Sequence, residues 1–246
     1  MTYDDLSALP DELAQARKNP GLAVLEGFHA LKHALRFGAQ ILRVVAVDPA
    51  KLEAMTGEFA PDLSGYFIRT AVPVPPELFR RLSRNGVHTE VITIARRPAA
   101  GAELDPAKPV VFLEDPRNLG NLGAVIRVAA AADAAAVFTS GLHDPWDPAA
   151  IRGSAGLHYA LPVARIAEPV FPGRVVVAVD PDGDELRPEA VPDGAVLAFG
   201  TEREGLSAAL LERADLAVRI PMRPGVSSLN LATSVAVMLY ARVRSR

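Results

Sequence analysis

The sequence predicts an α/β chain in two parts, a smaller amino-terminal α/β unit over residues 1–97 and a larger domain with a parallel sheet over residues 110–246. Three observations carry this expectation. Short β-branched apolar runs alternate with helix-patterned stretches, the pattern of strands buried beneath helices. The segment 98–109 holds Pro98, Pro106 and Pro109, has no apolar period and reads as a linker. The chain is 246 residues long and half apolar, enough to build its cores without cross-links.

In the first part, the start is polar and Leu22–Glu26 reads as a short strand. Gly27 then opens a helix with Phe28, Leu31, Ala34 and Leu35 on one face, and Gly38 stops it. Ile41–Val47 is a buried strand and Tyr66–Ile68 a short extended piece. Pro75 and Pro76 precede a helix over Glu77–Leu82, and Val87–Ile94 alternates as a strand does.

In the second part, Val110–Glu114 is a strand, followed by a glycine-containing loop and an alanine-rich helix from about Leu122 to Ala132. A strand opens at Val137 and Phe138, a short helix covers Ala149–Gly156, and Val163 follows. Val175–Val179 and Val196–Phe199 are buried strands, Ser207–Ala214 a helix, Ala217–Ile220 a last strand and Leu229–Val243 a long closing helix.

Composition excludes several classes of function. Cysteine is absent, which removes disulfides, thiolate metal sites and a cysteine nucleophile. No run approaches the roughly 18 to 20 apolar residues that a membrane span requires. The first twenty residues are acidic and polar, the reverse of a signal peptide, so the expected location is cytoplasmic. Net charge is −3, against the basic surface of a protein that holds nucleic acid by bulk charge. Of 26 basic residues 22 are arginine, which suits bidentate phosphate contacts and equally a biased overall composition. His29 and His33 have i, i+4 spacing but no third ligand nearby, so they read as helix-surface residues and no metal is expected.

Three segments carry chemistry. Glu114 to Arg127, EDPRNLGNLGAVIR, is a strand end, a glycine-rich turn and a helix start, the position at which open α/β sheets bind ligands. Asn121 in the loop and Arg127 more than a turn into the helix can face one cleft, and Gly120 and Gly123 allow a close approach. Leu197 to Ser207, LAFGTEREGLS, sets Glu202 between Gly200 and Gly205, ahead of Ser207 as a helix cap. Ile220 to Thr233, IPMRPGVSSLNLAT, holds an extended loop open with prolines and places Ser227, Ser228 and Asn230 at the mouth of the last helix, with Ser227 or Ser228 as its cap.

In this order the three segments, together with RGSAGLHYALPV between them, resemble the SpoU (TrmH-type) branch of the SPOUT superfamily, RNA ribose 2′-O-methyltransferases that use S-adenosylmethionine. The resemblance covers about Val110 to Tyr240. VLEGFHALKHAL and LFRRLSRNGVHTEVITIA look like the small α/β substrate-binding domain that many members carry. Asp133 and Ala134 stand where members have an aromatic-glycine pair.

The resemblance implies a parallel sheet whose carboxyl-terminal segment is threaded into a deep trefoil knot, a homodimer with the site built across it, and no metal. It implies donor contacts at Gly200, Ile220 and Leu229, largely through backbone, and a catalytic set of Arg127, Asn121, Glu202, Ser228 and Asn230. A guanidinium stays protonated, so Arg127 is expected to grip phosphate and stabilise the developing alkoxide rather than act as a base. Ribosomal RNA is favoured over transfer RNA, and Arg80, Arg81, Arg84, Arg96 and Arg97 are candidates for an RNA-facing patch. The alternatives are a catalytically silent knotted RNA-binding protein and an enzyme that methylates a base.

Overall fold

The computed structural model describes residues 4–83, 89–99, 101, 103–201 and 204–243. The chain forms two compact units, Met1–Ala99 and Ala100–Arg246. Arg84, Glu202 and the expected start of a strand at Val87 lie outside the described residues.

In the first unit the helices are α1 (Asp4–Ser7), α2 (Leu9–Lys18), α3 (Phe28–Arg36), α4 (Pro49–Phe59), α5 (Tyr66–Thr70) and α6 (Pro76–Leu82). Its strands β1 (Leu22–Glu26), β2 (Ile41–Ala46), β3 (Ala71–Pro73) and β4 (Val91–Arg96) form one sheet in the order β1-β4-β2-β3. The β1–β4 and β4–β2 pairs are antiparallel and β2–β3 is parallel. Strand alternation splits the core in two. Val24, Val45, Ile92 and Ile94 pack with Leu9 and Leu13 of α2 and with Phe79 and Leu82 of α6. Val44, Ala46 and Val91 pack with Phe28 and Leu31 of α3, Leu52 of α4 and Phe67 of α5.

Tyr66–Ile68 is a correction: it is helical, as part of α5, and the strand follows it as β3. The cause is distant in sequence. The Glu53 carboxylate of α4 accepts the amide of Gly65, whose φ of 76° turns the chain into the helix. That hydrogen bond, with one from the Thr56 hydroxyl at 3.3 Å, holds the Glu53 carboxyl below its ordinary range.

The second unit is a six-stranded sheet in the order β10-β8-β9-β5-β6-β7, with every neighbouring pair parallel. Its strands are β5 (Val110–Leu113), β6 (Ala136–Thr139), β7 (Val163–Arg165), β8 (Val176–Glu185), β9 (Val196–Phe199) and β10 (Leu216–Arg219). Its helices are α7 (Leu119–Ala131), α8 (Pro148–Gly153), α9 (Ala208–Arg213) and α10 (Leu231–Val243). The central strands β5 and β9 are buried throughout, as helices covering both faces demand. Val110, Phe112, Val196 and Ala198 pack with Leu206 and with Leu210 of α9, while α7 and α10 pack on each other.

Segment 98–109 is partly docked on this unit: Arg174 donates to the carbonyls of Lys108 and Asp105, each at 2.8 Å. After α7, Asp133 takes a φ of 56° and pairs with Lys108 at 2.8 Å. The chain therefore makes the left-handed turn here without a glycine.

Candidate functional site

Each functional segment leaves the carboxyl end of a strand, and local chemistry sets where its side chains go. At the end of β5, Glu114 receives two hydrogen bonds from Ser207, one from its amide at 2.7 Å and one from its hydroxyl at 2.6 Å. The same hydroxyl caps α9 by accepting the Leu210 amide at 3.2 Å. One serine thus ties the first segment to the second.

α7 begins earlier than the sequence suggests. Asn118 caps it by accepting the Asn121 amide at 3.0 Å, so Asn121 lies in the first turn of the helix and not in a loop. Gly123 makes a close approach, as its type allows, and its partner is α8. A β-carbon there would lie 2.3 Å from the Ala150 carbonyl oxygen and 2.8 Å from the Gly153 α-carbon, so this glycine lets α7 press on α8.

Gly200 has a comparable tight fit. Thr201 and Gly205 exchange backbone hydrogen bonds of 3.0 and 3.1 Å, folding the chain back so that a β-carbon on Gly200 would sit 1.9 Å from the Gly205 carbonyl carbon. Glu202 lies outside the described residues. The neighbouring Glu204 is 3.7 Å from Arg117.

The third segment is exposed from Arg223 to Asn230, where it enters α10, and Met222 just before it is half-buried. The helix cap is Asn230 and not Ser227 or Ser228: its side-chain oxygen accepts the amides of Ala232 at 2.9 Å and Thr233 at 3.4 Å. Its amide nitrogen donates to Asn121 Oδ1 at 3.1 Å, joining the mouths of α10 and α7.

A cavity of about 340 Å³ opens at the carboxyl ends of β9 and β10 and against the middle of β8, within the size range of small-molecule sites. Gly200, Ile220, Ser228 and Leu229 all line it, together with Asp180, which the sequence motifs do not include. Asn121 and Asn230 are joined to each other but do not line the cavity. Arg127 stands on the exposed face of α7 and has no hydrogen bond or ion pair among the described residues. The one signal for Asp180 was the turn-forming run Asp180-Pro181-Asp182-Gly183 directly after an apolar strand.

No helix among the described residues is long and apolar enough to cross a membrane. No group of three or more metal-ligating side chains occurs among them.

The family model described as "SpoU rRNA Methylase family" matches residues 108–240. The chain is 36% identical over 173 residues to an uncharacterized tRNA/rRNA methyltransferase of Mycobacterium bovis, covering 63% of this chain and 59% of that protein. The chain thus spans less than two thirds of the length of that relative. It is 31% identical over 193 residues to a 23S rRNA (uridine(2479)-2′-O)-methyltransferase of Streptomyces viridochromogenes, covering 71% of this chain and 67% of the relative. The crystal structure of the SpoU methyltransferase AviRb from Streptomyces viridochromogenes in complex with the cofactor AdoMet superposes with a TM-score of 0.76 at 25% identity, covering 98% of this chain and 96% of that one.

Proposed function

Since the chain belongs to the SpoU rRNA Methylase family, we propose that it transfers a methyl group from S-adenosylmethionine to a ribose 2′-hydroxyl of structured RNA, ribosomal RNA before transfer RNA. One observation carries the reading: segments remote in sequence converge at Gly200, Ile220, Ser228 and Leu229 to line a single cavity.

The cavity suits the donor by its chemistry. Phe199, Ile220, Leu229 and Leu231 offer apolar surface, Thr201, Ser227 and Ser228 offer hydroxyls, and Gly200 leaves backbone groups uncovered. Gly200, Ile220 and Leu229 would hold the donor, which when bound supplies an activated sulfonium methyl and so calls for no metal.

The chain's own residues then have two tasks, to place the ribose hydroxyl and to stabilise it as its proton leaves. The Arg127 guanidinium is the cation for this, holding an RNA phosphate and favouring the developing alkoxide. The Asn121–Asn230 bridge fixes the two helix mouths beside which the hydroxyl must sit. Ser228 and Glu202 complete the proposed set, Glu202 by orienting Arg127 or its own turn.

The same reading includes a carboxyl-terminal trefoil knot, a homodimer with the site shared across its interface, a first unit that binds RNA and a cytoplasmic location. The strand order is consistent with the knot, since β9 lies between β5 and β8, both earlier in the chain. The test is transfer of tritiated methyl from the donor to total RNA, followed by alkaline cleavage. Protection of one phosphodiester supports ribose methylation, label without protection indicates a base, and no label sinks the proposal.

A further inference from the structure

The strand pairing of β8 and β10 contains an interruption that bears on the cavity. Ala217 and Val218 are adjacent, yet they pair with Ala178 and Asp184, so residues 179–183 of β8 arch away from the sheet. The arch is built rather than slack. Gly183 is buried where a β-carbon would lie 2.5 Å from the Val218 amide nitrogen, and its carbonyl accepts from Arg219 at 2.8 Å. Asp180 Oδ1 accepts the Asp182 amide at 3.0 Å, which sets the carboxylate at the cavity wall. Its other oxygen has no hydrogen bond among the described residues and lies 3.8 Å from where a Gly205 β-carbon would be.

Among the described lining residues Asp180 alone carries a formal charge; the others are apolar, glycine, proline or hydroxyl-bearing. The nearby Asp182 and Asp184 are exposed and outside the lining, and Glu185 is 3.7 Å from Arg219. The described part of the cavity wall is therefore negative.

We infer that Asp180 makes this pocket discriminate by charge, favouring the cationic methyl donor over its demethylated product, whose net charge is zero. The inference rests on the donor-binding reading of the cavity. S-adenosylmethionine carries one net positive charge at neutral pH, and S-adenosylhomocysteine, having lost the methyl and the sulfonium, carries none. A fixed carboxylate in a half-enclosed cavity attracts the first more than the second, even without touching the sulfur, because Coulomb attraction falls slowly where water is partly excluded. After transfer that attraction is gone, which aids exchange of product for fresh donor.

The test is calorimetric titration of the full chain with each nucleoside, as wild type and as Asp180→Asn. Asparagine keeps the acceptor for the Asp182 amide and removes only the charge. The expected result is ~5- to 10-fold weaker binding of S-adenosylmethionine with S-adenosylhomocysteine affinity within about twofold of wild type. Added salt should shrink the wild-type preference and leave the variant's ratio unchanged. Equal weakening of both nucleosides overturns the inference, since Asp180 would then hold a group common to the two; so does no change in either. Failure of wild type to bind either nucleoside instead sinks the donor-binding reading, an outcome separable from the rest. Amide spectra of the variant matching wild type outside the arch establish that it is folded.

Discussion

Asn230 donates its side-chain amide to Asn121 Oδ1 at 3.1 Å while its own oxygen caps α10, so one residue both starts the last helix and ties it to the start of α7. These two functions separate by substitution. Asn230→Ala loses both and should cost about 1 kcal/mol of stability. Asn230→Ser keeps a capping oxygen but is too short to reach Asn121. It should melt near wild type while methyl transfer falls roughly tenfold, about 1.4 kcal/mol in the barrier. Wild-type turnover in the serine variant would show that the bridge has no part in methyl transfer.

Arg127 is exposed and unpaired among the described residues, so its removal leaves no buried charge behind. Arg127→Ala should lower turnover by at least ~100-fold, the scale of losing one donor to a developing oxyanion. Donor affinity by calorimetry should stay within about twofold. Arg127→Lys separates charge from the planar fork, and recovery of only part of the rate would assign the remainder to bidentate geometry.

Gly200 tolerates no side chain, because its β-carbon would lie 1.9 Å from the Gly205 carbonyl carbon. Gly200→Ala should displace the Thr201–Gly205 turn and weaken donor binding more than tenfold, with the circular dichroism of the folded chain retained. Gly123→Ala tests the opposite case. Its clash is with α8, so thermal stability should fall by a few degrees, and donor affinity in the molecules that remain folded should not.

Glu53 gives the first unit an acid sensitivity. Its carboxyl is held below the ordinary value chiefly by the Gly65 amide, so the stabilisation is complete above the unfolded value of roughly 4.3 and is lost as pH falls through the folded one. Glu53→Gln should therefore lower stability most near neutral pH, and the difference from wild type should narrow on acidification towards pH 3. Urea titrations at several pH values measure this, and a gap that widens with acid would contradict it.

Much of this was readable in the chain because it depends on neighbours in sequence. Val110–Leu113 and Val196–Phe199 announce themselves as strands since burial on both faces requires uninterrupted apolar residues. Ser207 reads as a cap because the amide it accepts is three residues away. The three loop segments were recognisable from residue type and order, and Gly200, Ile220, Ser228 and Leu229 of the second and third line one cavity.

What local pattern left open depended on partners far along the chain. Tyr66–Ile68 looks extended until Glu53 supplies a carboxylate to the turn that starts its helix. Gly123 allows a close approach whose partner is not legible until Gly153 is found against it. Ser227 and Ser228 look like caps until Asn230, which also meets Asn121, takes that place. Asp180 looks like a turn residue until β10 pairs on both sides of its arch and leaves it at a cavity wall. Residue type and spacing decided which segments become strands, helices and binding loops, since those depend on short-range sterics and burial. Which loops share a cavity, and which side chain takes a given hydrogen bond, was decided only when the parallel strands came together, because those contacts join residues whose separation in sequence carries no local signal.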